Sequence, residues 1–156
     1  LANVAQIQIQ KIQQVEAALS QAKALRRAKR YNEAAELLLG ALNHGVQADR
    51  ILFQLGNVFF DAGDLSRAEY SYRRATEENP QHANALHNLA VVYHKQGKVA
   101  ESVKLQRQAV RLGLRGKAQE HALEPEVASW ARKLAYRGFL VVALLLTTIA
   151  VLLYLA

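Results

Sequence analysis

"GNVFFDAGDLSRAEYSYRRATEENP", residues Gly56–Pro80, sets small residues at regular places: Gly56, Gly63, Ala68 and Ala75, then Asn79-Pro80. Large apolar and aromatic residues fill the intervals. Gly63 can open a tight turn, because glycine tolerates a left-handed backbone. Asp64 is placed to cap a helix that starts beside it. Pro80 follows the end of that helix because it cannot continue one. The stretch therefore reads as two helices joined by a short turn.

Shifted by 34 residues, the chain overlays itself. Gly45, Asn79 and Gly113 fall into one register, and all three are residue types expected to end a helix. Ala41, Ala75 and Ala109 share another. Leu52, Leu55, Gly56 and Phe59 align with Leu86, Leu89, Ala90 and Tyr93; Gly63 aligns with Gly97, and Leu65 with Val99. This period signals stacked helical hairpins. A lone hairpin cannot bury its apolar faces, so neighbours must supply the core. Small residues let helices approach where they cross, and large ones fill the adjoining holes.

The composition agrees. Two Pro and eight Gly in 156 residues argue against an all-β design, and the abundance of Ala, Leu, Gln, Lys, Arg and Glu is helical. The fold class is all-α. The absence of Cys excludes disulfides and Cys-ligated metals. A net charge of +7 suggests acidic partners or anionic lipid. The chain opens on Leu1 rather than Met, which reads as a processed chain or a fragment.

Leu52-x2-Leu55-Gly56-x2-Phe59, then Gly63, Ala68-x3-Tyr72-x2-Ala75 and Pro80, resembles the tetratricopeptide repeat, with Leu52 in place of the leading Trp. Three repeats are placed at 15–48, 49–82 and 83–116. The third departs at Ser102, Gln106 and Leu114, where the family usually has Ala, an aromatic and Pro. The first has Gln21 and Lys29 in place of Leu and Gly, but Tyr31, Ala34, Leu38 and Ala41 fit its second helix. Residues 1–14 are expected to extend the first helix upstream, with partner docking as the alternative. Residues 117–137 form a linker and juxtamembrane helix, with "GLRGKAQEHALE" after Leu112 expected to be irregular and Pro125 placed to start the helix.

From Gly138 to Ala156 the chain carries no charge. These 19 residues would span about 28 Å as a helix, close to the hydrocarbon thickness of a bilayer. Tyr136 and Tyr154 would lie near the two interfaces, Trp130 on the polar approach, and Arg132, Lys133 and Arg137 just before the span. The expected architecture is thus a tetratricopeptide-type solenoid followed by a single transmembrane helix. The basic flank puts the repeats on the cytoplasmic side; a removed signal peptide would reverse that.

No grouping of residues supports catalysis. His87 and His94 share a helix face but stand roughly 10 Å apart, too far to hold one metal. No enzyme activity, metal, cofactor, small-molecule substrate or nucleic-acid partner is expected. Binding is expected instead. The family resemblance implies a concave groove lined by the first helix of each repeat. It places Leu19, Lys23, Arg26 and Arg27 there from the first repeat, Phe53, Asn57, Phe60 and Asp61 from the second, and His87, Val91, His94 and Lys95 from the third. Such a groove suits a protein segment with an acidic end and an apolar anchor. Phe53 and Phe60 would form an exposed apolar strip unless covered. The positions that clamp a chaperone's terminal carboxylate in some family members hold Leu19, Lys23, Gln54, Asn84 and Asn88, so no such clamp is expected. Two functions fit: a membrane-anchored scaffold subunit of a membrane protein complex, or a reversible assembly factor or receptor for client proteins.

Overall fold

The computed structural model describes the backbone from residue 2 to 120 and side chains from 3 to 115. Six helices follow in order: α1 (Ala2–Arg27), α2 (Tyr31–Leu42), α3 (Ala48–Asp61), α4 (Leu65–Glu78), α5 (Ala83–Lys95) and α6 (Val99–Glu120). They form three antiparallel hairpins, with no strand among the described residues. None of the described helices is long and apolar enough to cross a membrane. The expected span 138–156 and its flank, with Trp130, Arg132, Lys133, Tyr136, Arg137 and Tyr154, lie outside the described residues.

Each hairpin buries a stripe at helical spacing. In α1 it is Val15, Ala18, Leu19 and Ala22, and in α2 it is Ala34, Ala35, Leu38 and Ala41. Ile51, Leu52, Leu55 and Val58 of α3 face both neighbours. A second cluster gathers Ala68 and Tyr72 of α4 with Leu89 and Val92 of α5. Phe53 and Phe59 touch both clusters, so the core runs continuously along the stack. α1 is one helix from Ala2, and Val4, Ile7, Ile9 and Ile12 of its upstream part are exposed.

The turns follow backbone chemistry. Gly63 and Gly97 adopt φ of +83° and +79° between the helices of their hairpins. Asp64 caps α4, accepting a hydrogen bond from the Arg67 amide at 2.8 Å. The equivalent position in the first hairpin is Lys29, which is held at φ +60°. A side chain there costs about 1–2 kcal/mol, part of which glycine would lose again through its freer unfolded chain. Lys29→Gly is therefore expected to stabilise the protein by roughly 0.5–1 kcal/mol. A raised urea midpoint with an unchanged slope would register this; a lowered midpoint would refute it.

The three residues in the helix-ending register meet three fates. Gly45 is left-handed, at φ +68°. Asn79 ends α4 with an extended backbone, φ −139°, not a left-handed one. Pro80 dictates this, because its ring excludes helical geometry at the preceding residue. Gly113 ends nothing: α6 continues through it to Glu120, so the expected irregular linker after Leu112 is helical as far as that residue. A mid-helix glycine costs only about 1 kcal/mol, and Leu114, Arg115, Lys117, Ala118 and Gln119 all favour helix with no proline before Pro125.

The third hairpin's departures also have local reasons. Ser102 is buried at the position of Ala34 and Ala68, and its hydroxyl donates to the Ala90 carbonyl at 2.7 Å. That bond ties α6 to α5 and satisfies a polar group the core would otherwise penalise.

Candidate functional site

The first helices of the hairpins, α1, α3 and α5, present one common face carrying two pockets. The first, of about 230 Å³, is lined by Arg26 of α1, Asn57, Phe60 and Asp61 of α3, Tyr72 of α4, and Asn88 and Val91 of α5. The second, of about 200 Å³, is lined by Leu19 and Lys23 of α1, Arg50, Phe53 and Gln54 of α3, and His82 at the start of α5.

A polar network forms the floor of the first pocket. Tyr72 lies under α3, its ring against Gly56, where a methyl group in place of the glycine hydrogen would stand 2.4 Å from the ring carbon Cε1. Its hydroxyl donates to Asn57 Oδ1 at 2.8 Å. Asn88 Nδ2 donates to the same oxygen at 3.0 Å. Burial pushes the Tyr72 phenol well above its ordinary range, so it remains a protonated donor. Three helices thus converge on one amide oxygen.

Charge lies along the rim. Arg26 Nη1 donates to Asp61 Oδ2 at 2.7 Å, linking the first hairpin to the second. Arg26 Nε is buried with no acceptor among the described residues. The Lys95 ammonium sits 5.6 Å from the Phe60 ring centre, within cation–π range. Beside the second pocket, Arg50 pairs with Glu16 across α1 and α3. This arginine holds the Glu16 carboxyl below its ordinary range. His82 Nδ1 accepts from the Ala85 amide at 3.3 Å as the cap of α5.

The expected groove residues divide accordingly. Arg26, Asn57, Phe60, Asp61 and Val91 gather at the first pocket, and Leu19, Lys23 and Phe53 at the second. Arg27, His87 and His94 are exposed and line neither. Phe53 and Phe60 do not form an open strip. Both are half-buried, and Phe53 packs 6.0 Å from Tyr72 and 4.8 Å from His82, centre to centre. Among the described residues, no group of three or more His, Asp or Glu could hold a metal. Of the clamp positions, Leu19, Lys23 and Gln54 do meet in the second pocket, and the added cation there is Arg50, engaged by Glu16.

Tyr72, Arg50 and His82 were not among the expected site residues. Tyr72 left one usable sign: a buried phenol needs a partner, and Asn57 is a polar residue on the helix it crosses. Asn88 follows Asn57 by 31 residues, off the repeat period, so no register pairs them.

Comparison with known proteins places this geometry. Residues 53–116 match the family model described as tetratricopeptide repeat. The chain is 37% identical over 57 residues to tetratricopeptide repeat protein 8 of Caenorhabditis elegans, covering 36% of this chain and 11% of that protein. It is 30% identical over 71 residues to the photosystem I assembly protein Ycf3 of Synechococcus sp. strain CC9311, covering 46% of this chain and 39% of that protein. The chain therefore spans well under half the length of these relatives. Among solved structures, the second tetratricopeptide domain of Spaghetti (RPAP3) bound to an HSP90 peptide aligns with a TM-score of 0.63 at 14% identity, covering 71% of this chain and 96% of that one. The Yersinia enterocolitica chaperone SycD, in complex with a peptide of the translocator YopD, aligns at 0.58 with 17% identity, covering 78% and 86%. At these identities the structural likeness establishes the fold.

Proposed function

We propose that this chain, whose helical hairpins are tetratricopeptide repeats, is a protein-binding assembly scaffold held at a membrane by residues 138–156. The observation that carries the reading is the pair of pockets on the α1–α3–α5 face. One offers Phe60, Val91 and the Tyr72 network; the other offers Lys23 and Arg50 around Phe53. A client segment would seat an apolar anchor in the first and direct its acidic end toward the second. Arg26 on the rim of the first pocket, paired with Asp61 through Nη1 and partly exposed, adds a cation that favours an acidic client segment. Between a fixed subunit and a reversible assembly factor, the likeness to Ycf3, named as an assembly protein, favours the second.

A photo-crosslinking residue at Val91 in the full chain tests this. It should capture protein from gently solubilised membranes, whereas the same residue at Glu36, exposed on α2, should not. Capture at less than one client per chain, lost on a chase, supports the assembly role. A single fixed-ratio adduct would make the chain a permanent subunit. Equal capture from both positions would remove the groove from the mechanism.

A further inference from the structure

The outer face of α6 is not used by the groove. Val99, Val103, Val110 and Leu114 are all exposed, Leu114 to 64%. At about 100° per residue they form one stripe on the helix, with Val99 and Val110 at one margin and Leu114 at the other. Arg107, Arg111, Lys104 and Arg115 follow in angular order beside it, all exposed. None of the four is in an ion pair among the described residues. Val103, Lys104, Arg107 and Arg111 border a shallow hollow that follows the cationic stripe. The opposite flank is occupied by the stack, where Ser102 and Ala109 are buried. Glu101, three residues before Lys104, borders the far margin of the cationic stripe and forms no ion pair with it among the described residues.

An aliphatic stripe beside a row of unpaired cations matches the boundary between lipid headgroups and acyl chains. It suits a protein partner less well, because it offers no aromatic anchor of the kind that dominates binding energy at protein interfaces. The chain itself supplies proximity: the uncharged run that opens at Gly138 lies 18 residues beyond Glu120, a separation of at most about 60 Å even fully extended.

We propose that the outer face of α6 docks on an anionic lipid surface, as a second, electrostatic contact beside the apolar tail. The inference rests on the membrane-anchoring reading above. Because α6 is the second helix of its hairpin, docking through it leaves the α1–α3–α5 face open to clients.

The absence of Cys permits a clean probe. Val110→Cys, labelled with an environment-sensitive dye, is reconstituted as the full chain into vesicles of phosphatidylcholine, alone or mixed with phosphatidylserine. Glu36→Cys serves as the control. With phosphatidylserine, the label at 110 should shift to the blue and be quenched by nitroxide placed near the headgroups. In phosphatidylcholine alone it should remain in water, as the label at 36 should in both. Adding Arg107→Glu and Arg111→Glu should cut the docked fraction by at least about tenfold, since each basic residue near an anionic surface is worth roughly fivefold. Helicity by circular dichroism should be unchanged. A label that stays in water in both lipids overturns the proposal. So does one already shielded in detergent, which would assign the face to protein. Alkaline carbonate extraction reads the tail separately, because charge contacts do not survive it. An anchored chain with label 110 in water refutes α6 docking alone; a docked label on a chain that carbonate strips off refutes the anchoring alone.

Discussion

Truncation of Tyr72 to alanine should lower the unfolding free energy by about 3–5 kcal/mol, the usual cost of emptying a core site of an aromatic ring. The ring is 1% exposed, fills the space between α3 and α5, and holds Asn57 in place through its hydroxyl. Tyr72→Phe separates the two contributions and should cost about 1–2 kcal/mol, because Asn57 and Asn88 lose a partner in a half-buried site. Gly56 is coupled to the same ring. Gly56→Ala in the wild-type chain brings a methyl group to 2.4 Å from a ring pinned at its far end, and should cost about 1–3 kcal/mol through overpacking. In the Tyr72→Ala background the obstruction is gone, the methyl group fills part of the cavity, and alanine favours helix by about 1 kcal/mol. Gly56→Ala should then be neutral or stabilising. Urea unfolding of the four variants measures the cycle. Additive effects would show that the ring yields and that Gly56 is not placed for close approach.

Arg26→Glu should weaken binding of the segment captured at Val91 by roughly a hundredfold, about 2–3 kcal/mol. The substitution removes a groove cation and sets two carboxylates together where Arg26 now meets Asp61. Fold stability should change by less than about 1 kcal/mol, since the pair is 28% and 39% exposed and surface ion pairs contribute little. Asp61→Asn carries the sharper sign. It releases Arg26 from its internal partner, so an acidic segment should bind several times more tightly and with a steeper salt dependence. Titration by fluorescence anisotropy at two ionic strengths checks both. Weaker binding after Asp61→Asn would mean that the aspartate itself receives the client, and that the groove reads a basic segment.

The hairpins were legible because their signal is local and recurs. The turn glycines at 63 and 97, the Asp64 cap and the apolar stripes depend only on a few neighbours along one helix. Less was legible at the site. Reading first-helix positions names Asn57, Phe60 and Val91, which border a pocket, and also Arg27, His87 and His94, which border neither of the two. Those three sit on the right helices, on faces that miss both pockets. Spacing along one helix left open whether Phe53 is covered; His82 and Tyr72, distant in sequence, cover it.

The sequence by itself determined the period, the hairpin turns, the small residues at the helix crossings and the apolar run at the end of the chain. Local rules suffice for these: glycine's left-handed freedom, the capping carboxylate, and the need of each hairpin for a neighbour. Only the tertiary structure decided why position 56 is glycine while its register partners are Ala22 and Ala90. Tyr72 stands against it, and the corresponding second-helix positions hold Leu38 and Gln106 instead. Only the structure joined Tyr72, Asn57 and Asn88 at one oxygen, and Arg26 to Asp61 across hairpins. A repeat period reports equivalent positions in successive units. It does not report which unlike positions face one another where helices cross, and those facings shape the pockets.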